Sequence, residues 1–350
     1  MRRKTGDRLQ NLEKQLSLPF DQYQRYKIVT EALDVLREDA GPLRILDVGG
    51  GEEGIILRFL PDDDMEILDR VEVKDVPGFV RGDATALPYE DGAFDYVTSV
   101  DVYEHVKMEE RRKYLSELRR VARKGVLLAA PFDSEEVRGV EKLANEFHQT
   151  VHLQENVWLK EHIKNGLPDL DETRAYFQGE GEQVSVLPNG YLPHWIAMIS
   201  LTFYSSQLTG EMQSMAERLN AFYNEFMYRY DNSEPSYRHL LIALKENKNV
   251  EFEQITSPTS SPNPTLSSAF FSMFSATLPL VTQLKKKDAQ IKDLFERLAR
   301  QAATGNDVYQ ENASLKAQIA AIENSRTWRV LDKQRRIRLA IKRRFRKRVD

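Results

Sequence analysis

From Asp21 to Glu38 the apolar residues Tyr23, Tyr26, Ile28, Val29, Ala32, Leu33 and Leu36 fall on one helical stripe, which Gly41-Pro42 closes. The helix leads into "LRILDV", a short apolar run with the character of a buried strand. The alternation then repeats. "EEGIILRFL" predicts a helix and "MEILD" a second strand; "GFVRG", "FDYVTSV" and "KGVLLAAP" predict three more strands, with the charged helix "MEERRKYLSELRRVA" between the last two. Apolar strands alternating with helices predict an α/β fold with a doubly wound sheet, whose ligands sit at the carboxyl ends of the strands. Beyond Pro131, "QVSVLPNG" and "YRHLLIALKE" predict two further strands that finish the sheet as a hairpin-like edge pair. A helical insertion over about 192–232, rich in Tyr, Phe and Met, separates them.

The polar pattern divides the rest of the chain. Residues 1–40 form a helical lead-in and 41–249 the α/β domain. The proline-broken run "TSPTSSPNPTLSS" marks a linker over 250–270. A heptad register then runs from Leu280 to Ile322, with Leu284, Ile291, Leu298 and Ile319 among its a positions and Leu294, Val308, Leu315 and Ile322 among its d positions. It predicts a coiled coil over 271–325 and a homo-oligomer built on it. Gly305 weakens the middle, so two shorter helices, or a hairpin folded on the same chain, are the rival arrangements.

Charge adds one feature. The formal net charge is -4, yet Arg326 to Asp350 hold twelve Lys or Arg against two Asp, about +10, so the body carries about -14. If residues 326–350 are helical, Val330, Ile337, Ile341, Phe345 and Val349 share a stripe apart from most of the cations. That suits an anionic membrane surface better than nucleic acid, with a solvated tail as the plain alternative. Zero cysteines exclude disulfides, thiolate metal sites and cysteine nucleophiles. There is no apolar run long enough to span a membrane, nor the apolar core of a signal peptide, so a cytoplasmic protein, peripheral at the inner membrane face, is expected.

Candidate chemistry begins at "ILDVGGGEEG", Ile45 to Gly54, where Gly49, Gly51 and Gly54 satisfy G-x-G-x-x-G. In a nicotinamide site the helix amino terminus after such a turn receives a pyrophosphate. Here Asp47 lies inside the strand end, and Glu52 and Glu53 stand where the pyrophosphate would lie and would repel it. A phosphate-free cofactor with a sulfonium and an amine is the better partner. Asp69, at the end of the second strand, suits a ribose diol.

Together with "GDATALPYEDGAFDYVTSVDVYEHV", Gly82 to Val106, this motif resembles the S-adenosylmethionine-dependent methyltransferases of the seven-stranded Rossmann-like class, in particular its type 11 branch. The resemblance is close over about Leu43 to Pro131 and looser to about Asn247. It implies S-adenosylmethionine as cofactor. It implies that Asp47, Gly49 and Gly51, with Gly50 where relatives often carry Cys, form the loop around the methionine part and ribose. Asp69 would hold the ribose, Asp83 and Ala84 would read the adenine, and Asp101 would line the methionine end facing the acceptor. The connection from Asp69 to Gly82 is shorter than in many relatives, which leaves the adenine side around Val71 to Val76 open.

A hydroxyl acceptor benefits from a general base. His105 in "YEHV" is the candidate, with Asp101 and Glu104 as rivals. His148 and His152 lie four apart with His162 further on, but lack the glutamate of H-E-x-x-H, and no metal is assigned. "ENVWLKEHIKNGLPDLDETRAYF" with "VLPNGYLPHW" looks like the cap of methyltransferases found beside glycosyltransferases. "ENSRTWRVLDKQRRI" is similar to a junction in cell-surface polysaccharide enzymes. These likenesses imply O-methylation of a sugar in a bacterial surface glycan or its lipid-linked precursor, with glycosyltransferases as partners. A cofactor-binding scaffold without catalysis and an RNA or DNA methyltransferase are the alternatives.

Overall fold

The computed structural model describes residues 10–38, 41–51, 54–71, 76–206, 211–248, 250–252, 254–255, 286–287, 289–298, 308–325 and 333. A short helix α1 (10–16) precedes α2 (Phe20–Leu36), the stripe-bearing lead-in helix, whose apolar face is buried. Seven strands follow: β1 (Arg44–Val48), β2 (Asp64–Asp69), β3 (Phe79–Arg81), β4 (Phe94–Val100), β5 (Ala122–Ala130), β6 (Gln183–Tyr191) and β7 (Ser236–Leu244). They form one sheet in the order β3-β2-β1-β4-β5-β7-β6, parallel from β3 to β5, with β7 antiparallel to both of its neighbours. The expected edge pair is present, with β7 inside it and β6 at the rim.

Alternation along the strands supplies both faces of the core, as a pleat of period two requires. Ile45, Ile67, Tyr96, Leu127, Leu240 and Ile242 pack with Ile28, Val29 and Leu33 of α2. Their neighbours Leu46, Leu68, Val97, Leu128 and Leu241 pack on the other face with Tyr114, Leu115 and Leu118 of α3 (Met108–Val121). Truncating one of these fully buried aliphatics to alanine costs about 2–5 kcal/mol.

The helix expected from "EEGIILRFL" is replaced by a single 3-10 turn, Ile55–Arg58. Gly54 sits at φ +52, a left-handed residue that no right-handed helix can run through, and Pro61 follows close behind. The chain has only that turn before β2 begins. Glu52 and Glu53 lie outside the described residues.

After β5 come α4 (Glu135–His152), α5 (Val157–Asn165) and α6 (Leu170–Gly179). Between β6 and β7 lie α7 (Leu192–Ser205), α8 (Glu211–Phe222), a π-helical turn Tyr223–Met227 and a 3-10 turn Tyr228–Tyr230. Helix α4 packs on α7 and α5, which stand over the carboxyl end of the sheet.

Within the heptad segment, α9 (289–298) and α10 (Val308–Glu323) are helical, and the heptad residues Ile291, Leu294 and Leu315 are buried. Residues 299–307, including Gly305, lie outside the described residues, as do the linker run 256–268 and, except for Lys333, the basic tail 326–350. Among the described residues no helix is long and apolar enough to cross a membrane.

Candidate active site

Strand order reverses between β1 and β4: the chain moves outward from β1 to β3, then returns to the other side of β1. At such a switch point the two following loops diverge and leave a crevice. Here it opens into a cleft of about 1060 Å³. Its floor carries the glycine loop after β1, Asp69 after β2, the Gly82–Ala84 turn after β3 and Asp101 after β4; its far wall comes from α2, α5, α7 and β7.

The expected cofactor residues gather at one end. Gly49 donates to the Leu68 carbonyl (2.7 Å) and Gly51 to Asp69 Oδ2 (3.2 Å), while Asp69 Oδ1 accepts from Val71 N (3.0 Å). The glycines are needed. Gly49 and Gly51 have φ +81 and +68, and a Cβ on Gly49 would lie 2.2 Å from a Val102 methyl. On Gly51 it would point into open space, so only the left-handed backbone constrains that position.

Asp47 is not on the cleft wall. It is 1% exposed and lies one layer below, where a Cβ on Gly50 would come within 2.6 Å of its Oδ2. Thr98 donates to Oδ1 (2.7 Å), and Oδ2 has no partner. Burial pushes the Asp47 carboxyl up to about 7, against the Thr98 bond and the Arg25 charge. Asp83 works as a turn former: its Oδ1 accepts from Thr85 N (2.9 Å), Thr85 Oγ1 (3.0 Å) and Arg70 Nη2 (3.1 Å). These bonds, the Thr85 amide foremost, lower its pKa. Ala84 lines the cleft beside it.

Asp101 departs furthest from expectation. Held at φ +52, it meets Arg238 in a two-pronged pair, Nε to Oδ1 at 2.6 Å and Nη2 to Oδ2 at 2.7 Å, and Arg25 Nη1 at 3.0 Å. Burial opposes the charge, but the Arg238 and Arg25 guanidinium groups outweigh it and hold the carboxyl well below the usual range. A carboxylate locked between two guanidinium groups does not take up a proton near neutral pH. As a base, Asp101 fails; it anchors Arg238 and Arg25. Arg238 Nη1 continues the network to Gln24 Oε1 (2.9 Å), and Gln24 Nε2 to Asp231 (2.7 Å), which pairs with His194 Nδ1 (2.5 Å).

His105 lies in a 3-10 turn, Tyr103–His105, ahead of α3. Its Nδ1 is 3.1 Å from Glu161 Oε2, within ion-pair range but outside hydrogen-bond geometry. Its ring lies 4.8 Å from that of His162 and 5.3 Å from that of Trp158. Burial, then the neighbouring His162, lowers its pKa, so at neutral pH it is uncharged. Beside it Glu104 is 1% exposed with Oε2 unpartnered; burial, then the Asp101 charge, raises its carboxyl well above the usual range.

His148 and His152 do not join His162. Their rings stack on each other at 4.2 Å, with His148 Nδ1 2.9 Å from the Gln154 carbonyl and His152 Nε2 2.9 Å from that of Phe203. His162 instead turns into the cleft beside Glu104 and His105. Arg25, Glu141, Trp195, Tyr237 and Arg238 were invisible as site residues in the sequence. They come from helices and a strand far apart in the chain.

Residues 46–130 match the family model described as Methyltransferase domain. The chain therefore carries a methyltransferase domain, and its cofactor is S-adenosylmethionine. The cradle fits: a left-handed glycine turn opens on the cleft, and beneath it the orphaned Asp47 Oδ2 favours a cation. No curated protein matches the chain significantly. Among solved structures, the YcgJ protein of Bacillus subtilis is 17% identical, covering 63% of this chain and 99% of its own, with a TM-score of 0.36. A possible histamine N-methyltransferase of Thermotoga maritima is 14% identical, covering 65% and 92%, at 0.41. The magnesium protoporphyrin IX methyltransferase of Synechocystis PCC 6803, solved with bound SAH, is 14% identical, covering 64% and 84%, at 0.38. Overlap at that level says nothing about what this chain acts on.

Proposed function

We infer that the protein transfers the methyl group of S-adenosylmethionine to an oxygen, a hydroxyl of a sugar in a surface glycan or its lipid-linked precursor. The observation that carries this reading is the division of one cleft into two ends. The acidic glycine-loop end suits a cationic nucleoside. At the other end the exposed Trp158 ring stands beside Glu104, His105 and His162, with Trp195 and Tyr237, buried and stacked on each other, also in the wall. Flat apolar rings beside polar groups suit a sugar, whose CH faces stack and whose hydroxyls need partners.

The cofactor supplies an electrophilic methyl. The chain's residues do the rest: Asp69 and the Asp83–Ala84 turn hold the nucleoside, and Asp101 fixes Arg238 and Arg25 where the two ends meet. Alignment of two bound reactants is worth about 7–11 kcal/mol when the geometry is right. Proton removal from the acceptor falls to the Glu104, His105 and His162 side rather than to Asp101, where no proton can be taken up.

On the same reading the heptad segment 280–322 joins copies of the chain, and the tail 326–350 meets anionic headgroups close to glycosyltransferases. The test is mass analysis of surface glycans from cells carrying the wild-type chain or Asp69→Ala. Loss of one methyl increment from a sugar supports the reading. Unchanged glycans, with methyl label passing from the cofactor into nucleic acid or into nothing, overturn it.

A further inference from the structure

We propose that Glu104, His105 and His162 form a divalent-cation site on the acceptor side of the cleft. One potential ligand atom from each lies within 4.8 Å of the others. Donors about 2.0–2.2 Å from a tetrahedrally held ion stand about 3.3–3.6 Å apart, so the widest pair closes by about an ångström, within reach of side-chain rotation.

The hydrogen bonding around them points the same way. Glu104 Oε2 and His162 Nε2 are buried and have no partner, on residues 1% and 5% exposed. His162 Nδ1 is 2.7 Å from Glu141 Oε1, which also accepts the Tyr237 hydroxyl at 2.9 Å. An oxygen already accepting from a hydroxyl requires the proton on Nδ1, and this leaves the lone pair of Nε2 facing the cluster. A carboxylate behind a histidine in this way fixes the tautomer and orientation of a metal ligand. Left without a cation, buried acceptors of this kind have lost water and gained no partner. Glu161, half-exposed beside His105, brings further negative charge to the rim.

The ligand set selects the ion. Two imidazoles and one carboxylate, in a chain without cysteine, suit Zn²⁺, Mn²⁺, Fe²⁺ or Co²⁺ better than Ca²⁺. Three protein ligands leave positions open, as catalytic sites do and closed structural sites do not. All three residues line the cleft, so those positions face the acceptor. Here the inference rests on the methyl-transfer reading. A cation lowers the pKa of a hydroxyl oxygen that approaches it. The hydroxyl proton passes to water in the cleft, the new O–C bond forms as the S–C bond breaks, and the bonding pair returns to sulfur. A side-chain base is then unnecessary, which fits a site where Asp101 cannot serve as one.

The test uses the full chain, stripped with chelator and titrated with Zn²⁺, Mn²⁺ or Co²⁺ alone. Bound metal is read by elemental analysis and the cobalt visible spectrum. One ion per chain is expected, lost in His162→Ala and Glu104→Gln, kept in His148→Ala, and weakened about 10–100-fold in Glu141→Gln. Folding of each variant is checked by its denaturation midpoint and by calorimetry with demethylated cofactor. An ion bound equally well by wild type, His162→Ala and Glu104→Gln overturns the site. So does no ion at all in a chain that binds the demethylated cofactor, which leaves His105 as a metal-free base. One ion lost in those variants, in a chain that ignores the cofactor, supports the site and overturns the methyl-transfer reading instead.

Discussion

The two ends of the cleft are built in opposite ways. The cofactor end comes from one continuous stretch, Asp47 to Asp101, and most of its polar contacts are backbone amides meeting nearby carboxylates: Gly51 to Asp69, Val71 to Asp69, Thr85 to Asp83. The proposed acceptor end is assembled from side chains that meet across the fold: Arg25 and Arg238 on Asp101, Glu141 on His162 and Tyr237, Trp195 stacked on Tyr237 at 3.7 Å. A backbone cradle keeps its shape through most side-chain changes. A side-chain lattice fails when one charged member is removed. The difference predicts that single substitutions at the acceptor end destabilise the fold, whereas those at the cofactor end change binding and its pH dependence.

Arg238→Ala should have the largest effect. It leaves Asp101 facing Arg25 alone and strips Gln24 Oε1 of its donor, all in buried surroundings. Breaking a buried pair by removing one partner costs about 3–5 kcal/mol, which a urea titration would register as a large fall in midpoint. Adding Asp101→Asn should recover much of the loss, because the stranded charge goes with it. If Arg238→Ala falls by less than about 1 kcal/mol, or the second change makes matters worse, the acceptor end is not the lattice described here.

Asp47→Asn comes next and concerns pH. In the folded chain the carboxyl titrates at about 7, against 3.8 without burial. Between those values the folded state holds a proton that the unfolded state has released, so stability contributed by this group is full below about pH 4 and lost as pH rises to 7. At about 1.36 kcal/mol per unit the loss is at most about 4 kcal/mol. The asparagine variant should therefore gain on the wild type as pH rises, and be more stable at pH 8. Because a cation favours the ionised form, affinity for S-adenosylmethionine should increase from pH 6 to 8 in the wild type. The slope should be smaller for the neutral thioether product and flat in Asp47→Asn. Parallel slopes in all three would remove Asp47 from the cofactor end.

The same contrast explains what the sequence revealed. The strands, the edge pair and the cofactor turn are written locally, in apolar runs, glycines and carboxylates within a few residues of each other, and all were legible. The helix after β1 was misread because "EEGIILRFL" has helical composition while Gly54 takes a left-handed conformation that only the closed turn reveals. His162 was visible, but the four-residue spacing of His148 and His152 suggested the wrong companions. Both of those rings are spent on backbone carbonyls. Glu104 and His105 adjoin in sequence, yet nothing local shows that α5 brings His162 to them, or that Glu141 stands behind it. Nothing local to Asp101 shows its two arginines, which come from α2 and β7.

Trp158→Ala should be the mildest change and tests whether the acceptor end has a part that belongs to the ligand rather than to the lattice. Trp158 is 62% exposed at the mouth of the cleft, its ring edge-on to His105. Little apolar area is lost with it, so the denaturation midpoint should hold. An aromatic contact of this kind is worth about 0.5–1.5 kcal/mol, so KM for the acceptor should rise several-fold while affinity for the cofactor stays put. A shift in cofactor affinity with KM for the acceptor unchanged would mean that Trp158 serves the nucleoside, and the line between the two ends would have to move to the other side of α5.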